Sequence, residues 1–409
     1  MATMGWSLLR LQDATLHPPV LSPDDDDAEI PWVLLDKLAY VADCENATTA
    51  FSTTFDNKRI QFPLEPKILA MEEDLVLLSI IVSSKQNAVH HMDYYIYQAA
   101  DSAVGRGPSL KRLPRPPAPY GFESTHVGIL RCGTNHKQQY DDQSRFFLRP
   151  HRDTTDDDFY VVAGLCEAPS MKPSQFVLCR YSSKQGDRNR RKCCTMGFVD
   201  LWRGILFCDV LKGEGKSIPQ QLHYVPLPPR LLPHSICKGD ARLSRDIAVV
   251  KDEEGRSMIT YVEMQVQWKP DQGFSGSDAK DGWVTRTWKM LVSAICLEDG
   301  WIEDCTLESS VIPVDNNPHI KQLPEALDHE GKQMPSFCGI DVRQPTLRIH
   351  DGDGIVYFMV KKNRMDPKAW VIAVDMKKNA LLEAAEFAAE RTVDITFVYM
   401  YSRISKYLR

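Results

Sequence analysis

From about Trp32 to the C-terminus, short apolar runs alternate with polar turns. They include "DLVLLSIIVSS" (74–84), "MDYYIYQAA" (92–100), "DFYVVAGLC" (158–166), "SQFVLCRYSS" (174–183), "GFVDLWRGILFCDVL" (197–211) and "LHYVPLPP" (222–229). Further on come "DIAVVKDEEGRSMITYVEMQVQW" (246–268), "WVTRTWKMLVSAICL" (283–297), "TLRIHDGDGIVYFMV" (346–360), "AWVIAVDM" (369–376) and "DITFVYMY" (394–401). The runs are about four to eight residues long, rich in β-branched and aromatic side chains and bounded by Gly, Pro, Asp and Asn, which is the pattern of strands. Two hairpins stand out: one turning at Gly255, the other at "DGDG" (351–354), where glycine supplies positive φ. "NALLEAAEFAAE" (379–390), all alanine, leucine and glutamate in character, predicts one short helix.

A degenerate repeat runs through the strands. "GILFCDVLKG" (204–213) aligns with "WVIAVDMKKN" (370–379), so that Asp209 and Asp375 share a slot after four apolar residues. Each copy reads as a buried strand that leaves the core and turns outward. Many short antiparallel strands with weak repeats predict an all-β fold, a β-propeller-like array of six to seven blades at ~40–50 residues each. A sandwich pair or barrel is the alternative. "WVLLDKLAYV" (32–41) and "ITFVYMYSRISKYL" (395–408) are expected to pair in one blade, which closes the ring and removes exposed edges.

Within "GFVDLWRGILFCDVL", Gly204 is placed at the reversal between two strands. Alternation puts Phe198, Asp200 and Trp202 on one face, with Val199 and Leu201 on the other. "ILFC" (205–208) is apolar on both faces, as a strand between neighbouring blades should be. Asp209 is expected to cap the exit by accepting amide hydrogen bonds from the following turn. Arg203 is expected to make a buried pair with Asp200 or Asp209.

Composition narrows the function classes. The chain has 409 residues, 43% hydrophobic and 25% charged, with net charge -6. Such a balance fits a globular core and argues against a nucleic-acid-coating protein, which needs a basic excess. Residues 1–30 read as a flexible leader, because prolines and the run Asp24–Asp27 cannot pack; 31–409 read as the propeller-like domain. No secretory signal or membrane-spanning run is found. The eleven cysteines are an odd, scattered set, read as reduced thiols of an intracellular protein of the cytoplasm or nucleus.

Candidate chemistry fails at each motif. "GEGKS" (213–217) has Val210 where a phosphate loop needs glycine, and Pro219 follows closely. His90 and His91, and the set His126, Cys132 and His136, lack partners at metal-ligand spacing. "DGDG" lacks the glutamate that completes a calcium loop. The aspartates of "RDTTDDDF" (152–159) read as a solvated loop, and "RNRRK" (188–192) as a solvated loop or an import signal. No catalytic residue, cofactor or metal is expected.

The "DLWRGIL-CD" element followed by "LHYVPLPP" resembles the plant family, expanded in grasses, called domain of unknown function 1618. "WVLLDKLAYVADCENATTA", "MDYYIYQA", "PSLKRLP", "GWVTRTWKM", "GIVYFMVKK", "AWVIAVDM" and "ISKYL" are similar to that family's other blocks, with a core at about 160–300. The resemblance carries no established activity and transfers no catalytic residues. The middle is also similar to the propeller associated with plant F-box proteins, although no F-box-like segment precedes it. Together these imply a non-enzymatic module that binds a protein partner, with Asp200, Trp202, Arg203, Gly204, Asp209 and Asp375 as signature residues. A small-ligand binder or enzyme using a central channel, and a nuclear adaptor imported through 188–192, are the alternatives.

Overall fold

The computed structural model is built of β-strands and, among the described residues, contains no α-helix. It describes residues 33–40, 48–52, 64–84, 87–101, 105–117, 120–122, 126–132, 159–167, 176–184, 195–211, 222–231, 239–252, 254–268, 280–292, 300–313, 319, 323–324, 337, 340–349, 354–362, 366, 368–387 and 399–402. The leader, His136, the "RNRRK" and "GEGKS" runs, Gly352 and the aspartates of 152–158 lie outside them.

Five antiparallel sheets follow one another along the chain, each made from consecutive strands, as blades are. The first has β2 (Lys67–Glu72), β3 (Leu75–Ser84), β4 (Asn87–Gln98) and β5 (Ser109–Arg112). The second has β6 (Val127–Cys132), β7 (Phe159–Glu167) and β8 (Phe176–Ser182). The third has β9 (Thr195–Asp200), β10 (Gly204–Asp209) and β11 (His223–Pro226). The fourth has β12 (Arg245–Lys251), β13 (Ser257–Trp268), β14 (Lys280–Leu291) and β15 (Ile302–Glu308). The fifth has β16 (Asp341–Leu347), β17 (Ile355–Lys361), β18 (Trp370–Asp375) and β19 (Ala380–Glu386). A two-stranded ribbon pairs β1 (Val33–Asp36) with β20 (Tyr399–Ser402), in the register Val33 to Ser402.

Packing arranges these sheets in a ring. Leu75 and Ile96 of the first blade bury against Ile129 and Val162 of the second. Val161 and Ala163 pack on Phe198 and Cys208 of the third, whose Ile205 and Phe207 pack on Ile259 and Met290 of the fourth. Val262 and Trp283 meet Val356 and Phe358 of the fifth, with Trp283 and Phe358 ring centres 4.9 Å apart. The ribbon completes the circle: Leu34, Tyr399 and Tyr401 face the fifth blade, and Val33, Leu35 and Met400 face the first. β2 touches β6, β6 touches β9, β12 touches β16 and β16 touches β20, so these strands line the inside.

The all-β propeller arrangement and the pairing of the two end strands are thus present. The blade number is corrected: five blades and one ribbon, rather than six or seven blades, among the described residues. An even division by length overcounts, because the stretches that join the described strands differ widely in length. The helix expected at 379–390 is also corrected. Residues 380–386 form edge strand β19, paired with β18 through a bulge and burying Leu381 and Ala384. Asn379, at φ 54°, makes the turn that returns the chain. Here tertiary pairing overrides helix propensity, which is worth only tenths of a kcal/mol per residue (~0–0.7).

Candidate functional site

The signature residues are not gathered at one point. Asp200 and Gly204 are cross-strand partners at one end of the β9–β10 hairpin, Asp209 ends β10 at the other, and Asp375 belongs to the fifth blade.

At the hairpin tip, Asp200 Oδ1 accepts the Trp202 amide at 2.8 Å, an Asx turn that reverses the chain through Leu201, Trp202 and Arg203. Arg203 does pair with Asp200, at 3.2 Å, but the pair is solvent-facing rather than buried: the Arg203 side chain is 81% exposed. The long Arg203 side chain projects from the turn into solvent. Trp202 also departs from the expected face. The turn rotates it away from Phe198 and sets it beside Leu201 in the cluster between the third and fourth blades.

Gly204 opens β10 rather than making the turn itself. Its need for glycine is close approach: a Cβ there would lie 2.5 Å from the Val225 carbonyl oxygen and 2.6 Å from the Tyr224 hydroxyl. That hydroxyl donates to the Arg203 carbonyl at 3.0 Å. β10 is the middle strand of its blade, with Ile205 and Phe207 packed toward the fourth blade and Cys208 toward the second. Burial, helped by Asp209, pushes the Cys208 thiol up to about 11, so it stays protonated at neutral pH and is a core group. The described cysteines 132, 166, 179, 208 and 305 are thiols, none in a disulfide.

Asp209 and Asp375 cap their strands as expected. Asp209 accepts the Leu211 amide at 3.0 Å; Asp375 accepts those of Lys377 and Lys378 at 3.0 and 2.9 Å. Yet β10 is second in its blade and β18 third, so the repeat tracks a buried strand turning outward, not a fixed blade position.

The sequence reading missed what lies beneath Trp202. Arg245 Nη1 donates to the Leu201 carbonyl at 2.9 Å and Nη2 to Glu263 Oε1 at 2.8 Å. The guanidinium sits 4.4 Å from the Trp202 ring centre. Tyr261 donates to the other Glu263 oxygen at 3.3 Å, and its ring lies 5.4 Å from Trp288 and 6.1 Å from Trp301. Burial raises the Tyr261 phenol above its ordinary value, so it remains a donor. A signal for the ion pair existed: the Gly255 hairpin sets the register that puts Arg245 opposite Glu263.

Large apolar side chains are also exposed on the third and fourth blades. Leu222, just before β11, and Tyr224 on it are 56% and 55% exposed, on the side opposite Val225, which packs toward the fourth blade. Trp301 Nε1 donates to the Pro226 carbonyl at 2.7 Å, and the next residue, Ile302, opens β15 and is 70% exposed. Leu222 and Tyr224 therefore lie on one side of the signature hairpin, with the Tyr224 hydroxyl on the Arg203 carbonyl. Among the described residues, no group of His, Cys, Asp and Glu could hold a metal ion, and no helix is long and apolar enough to cross a membrane.

Residues 198–357 match the family model described as "Protein of unknown function (DUF1618)". No curated protein matches the chain. Among solved structures, the chain is similar to a crystal structure of a GH43_1 enzyme from Xanthomonas citri, at 12% identity and TM-score 0.24, over 78% of this chain and 73% of that one.

Proposed function

With residues 198–357 carrying a domain of the unknown-function family 1618, we propose that the chain is a non-enzymatic protein-interaction module of the plant cell interior. Its partner docks on the edge strand β11 of the third blade, beside the signature hairpin. The observation that supports this is the exposed apolar pair Leu222 and Tyr224, the Tyr224 hydroxyl being bonded to the Arg203 carbonyl of the signature hairpin. Large apolar side chains gathered at the surface lose free energy to water and mark a docking site. Tyrosine and arginine are the residue types that most often anchor such contacts. β11 is held in place by its pairing with β10 and by the Tyr224 hydrogen bond, so binding costs little ordering.

The test is affinity purification from plant tissue with the natural chain and with a Leu222→Glu variant. A stoichiometric partner that falls about tenfold with the variant, at unchanged melting temperature, supports the reading. A partner retained equally by both overturns it, as does recovery of no stoichiometric protein with the natural chain.

A further inference from the structure

The blades are not equally wide. The first, fourth and fifth have four described strands each, whereas the second ends at β8 and the third at β11. An outer strand with no neighbour presents a row of main-chain donors and acceptors, and another extended chain is what such a row binds. On β11 the row is short, since Pro226 has no N–H and its carbonyl already accepts from Trp301.

β8 is the longer edge. The Ser183 amide donates to the Tyr160 carbonyl of β7 at 3.0 Å, and Tyr181 pairs with Val162. This register turns the main-chain groups of Val177, Cys179 and Tyr181 toward β7, and those of Phe176, Leu178 and Ser182 away from it. No described strand pairs with β8 on that outer side. Phe176, at the start of the row, carries an exposed ring.

The charges around this edge have one sign. β8 and β5, the outer strand of the first blade, carry Lys111, Arg112 and Arg180 and no acidic residue. Lys111 is exposed and holds its ammonium 5.6 Å from the centre of the Tyr181 ring, on the side of β8 that faces the first blade. On the other side Arg180 donates to the Val210 carbonyl at 2.8 Å, beside the third blade. Lys184, just past β8, is exposed as well. A second copy of this chain paired through β8 would set like charges against each other, whereas an acidic strand would be attracted.

We propose that the edge of β8 takes an extended acidic segment of another protein as the fourth strand of the second blade. Main-chain hydrogen bonds to Phe176, Leu178 and Ser182 hold the segment, Phe176 gives it an apolar contact, and the flanking cations select its acids. This edge belongs to a different blade from β11, and the proposal stands whether or not β11 binds a partner.

The probe is a displayed library of random twelve-residue peptides, panned on the full natural chain. The selected peptides are expected to alternate apolar with acidic residues and to lack proline. Bound to the natural chain, a synthetic copy of one is expected to slow amide hydrogen exchange across Phe176–Ser182. Its affinity, read by fluorescence anisotropy, is expected to fall about tenfold in Lys111→Glu. A similar loss is expected in Phe176→Pro, which removes one outward N–H and leaves the ladder to β7 intact. The exchange measurement needs no variant, so it decides the matter even where the proline chain folds poorly. Selection of no peptide, or of peptides without acids, overturns the proposal. So do protection that falls on His223–Pro226 instead of β8, and an affinity unchanged in Lys111→Glu.

Discussion

Arg245 and Glu263 face each other across neighbouring strands at 2.8 Å, each side chain 2% exposed. Two charges so placed are costly to bury and more costly to separate. Arg245→Met is expected to destabilise the fold by about 3–5 kcal/mol, since it strands the Glu263 carboxylate and empties the space over Trp202. The double variant Arg245→Met, Glu263→Gln is expected to recover part of that loss. Urea denaturation of the two single variants and the double measures it. A double variant as unstable as the sum of the singles would show that the pair is not coupled.

Gly204 and Cys208 lie on one strand but should respond oppositely. A Cβ at Gly204 meets the Val225 backbone, which cannot move without parting β10 from β11. Gly204→Ala is expected to cost about 1–3 kcal/mol and Gly204→Val more, enough to damage folding. Cys208→Ala is expected to cost only about 1 kcal/mol. Thermal melting distinguishes them. A Cys208→Ala chain that folds normally but loses a biochemical activity would contradict the core role given to this thiol.

Asp246 sets a pH dependence. Burial pushes its carboxyl up to about 6 from 3.8, against the Leu347 amide and Arg242, which favour the charged form. The folded state therefore holds this proton more tightly than the unfolded state. Its contribution is fully present below about pH 4 and is lost as pH rises through about 6. Between these values the natural chain should gain stability from this group as pH falls, and Asp246→Asn should flatten the dependence. Denaturation midpoints at pH 4.5, 5.5 and 6.5 decide it, with a slope unchanged in Asp246→Asn as the adverse result.

Asp375 caps its turn through two amides and a 3.2 Å ion pair with Lys378, whose side chain is 78% exposed. The amides should carry most of the effect, because an exposed lysine contributes little. Asp375→Ala is expected to cost about 1–2 kcal/mol, while Asp375→Asn and Lys378→Ala cost far less. Chemical denaturation checks the order; equal losses for Asp375→Ala and Lys378→Ala would reverse it.

The periodic runs made most strands legible, because each apolar stretch had to fill the space between two blades. Both hairpins, at Gly255 and Gly354, were legible for the same reason that their glycines adopt φ of 78° and 77°. Strand β19 was not, because "ALLEAAE" favours a helix locally and only its pairing with β18 makes it a strand. β15, "IEDCTLE", has too few apolar residues to announce itself, being an outer strand with mostly exposed side chains. Trp202 was misplaced because strict alternation was carried past Asp200, where the turn begins. The contacts of Trp301 with Pro226 and of Arg245 with Trp202 join residues far apart in sequence, and no local pattern contains them.

The β1–β20 ribbon gives this ring a timetable. Five blades can form from neighbouring sequence as synthesis proceeds, but Val33 to Asp36 must wait for Tyr399 to Ser402. Until then the flanks of the first and fifth blades that the ribbon covers, Ile68 and Val76 on one side and Tyr357 and Met359 on the other, face water. The apolar surface that seals the finished protein is therefore the surface a nascent chain must shield longest from other chains.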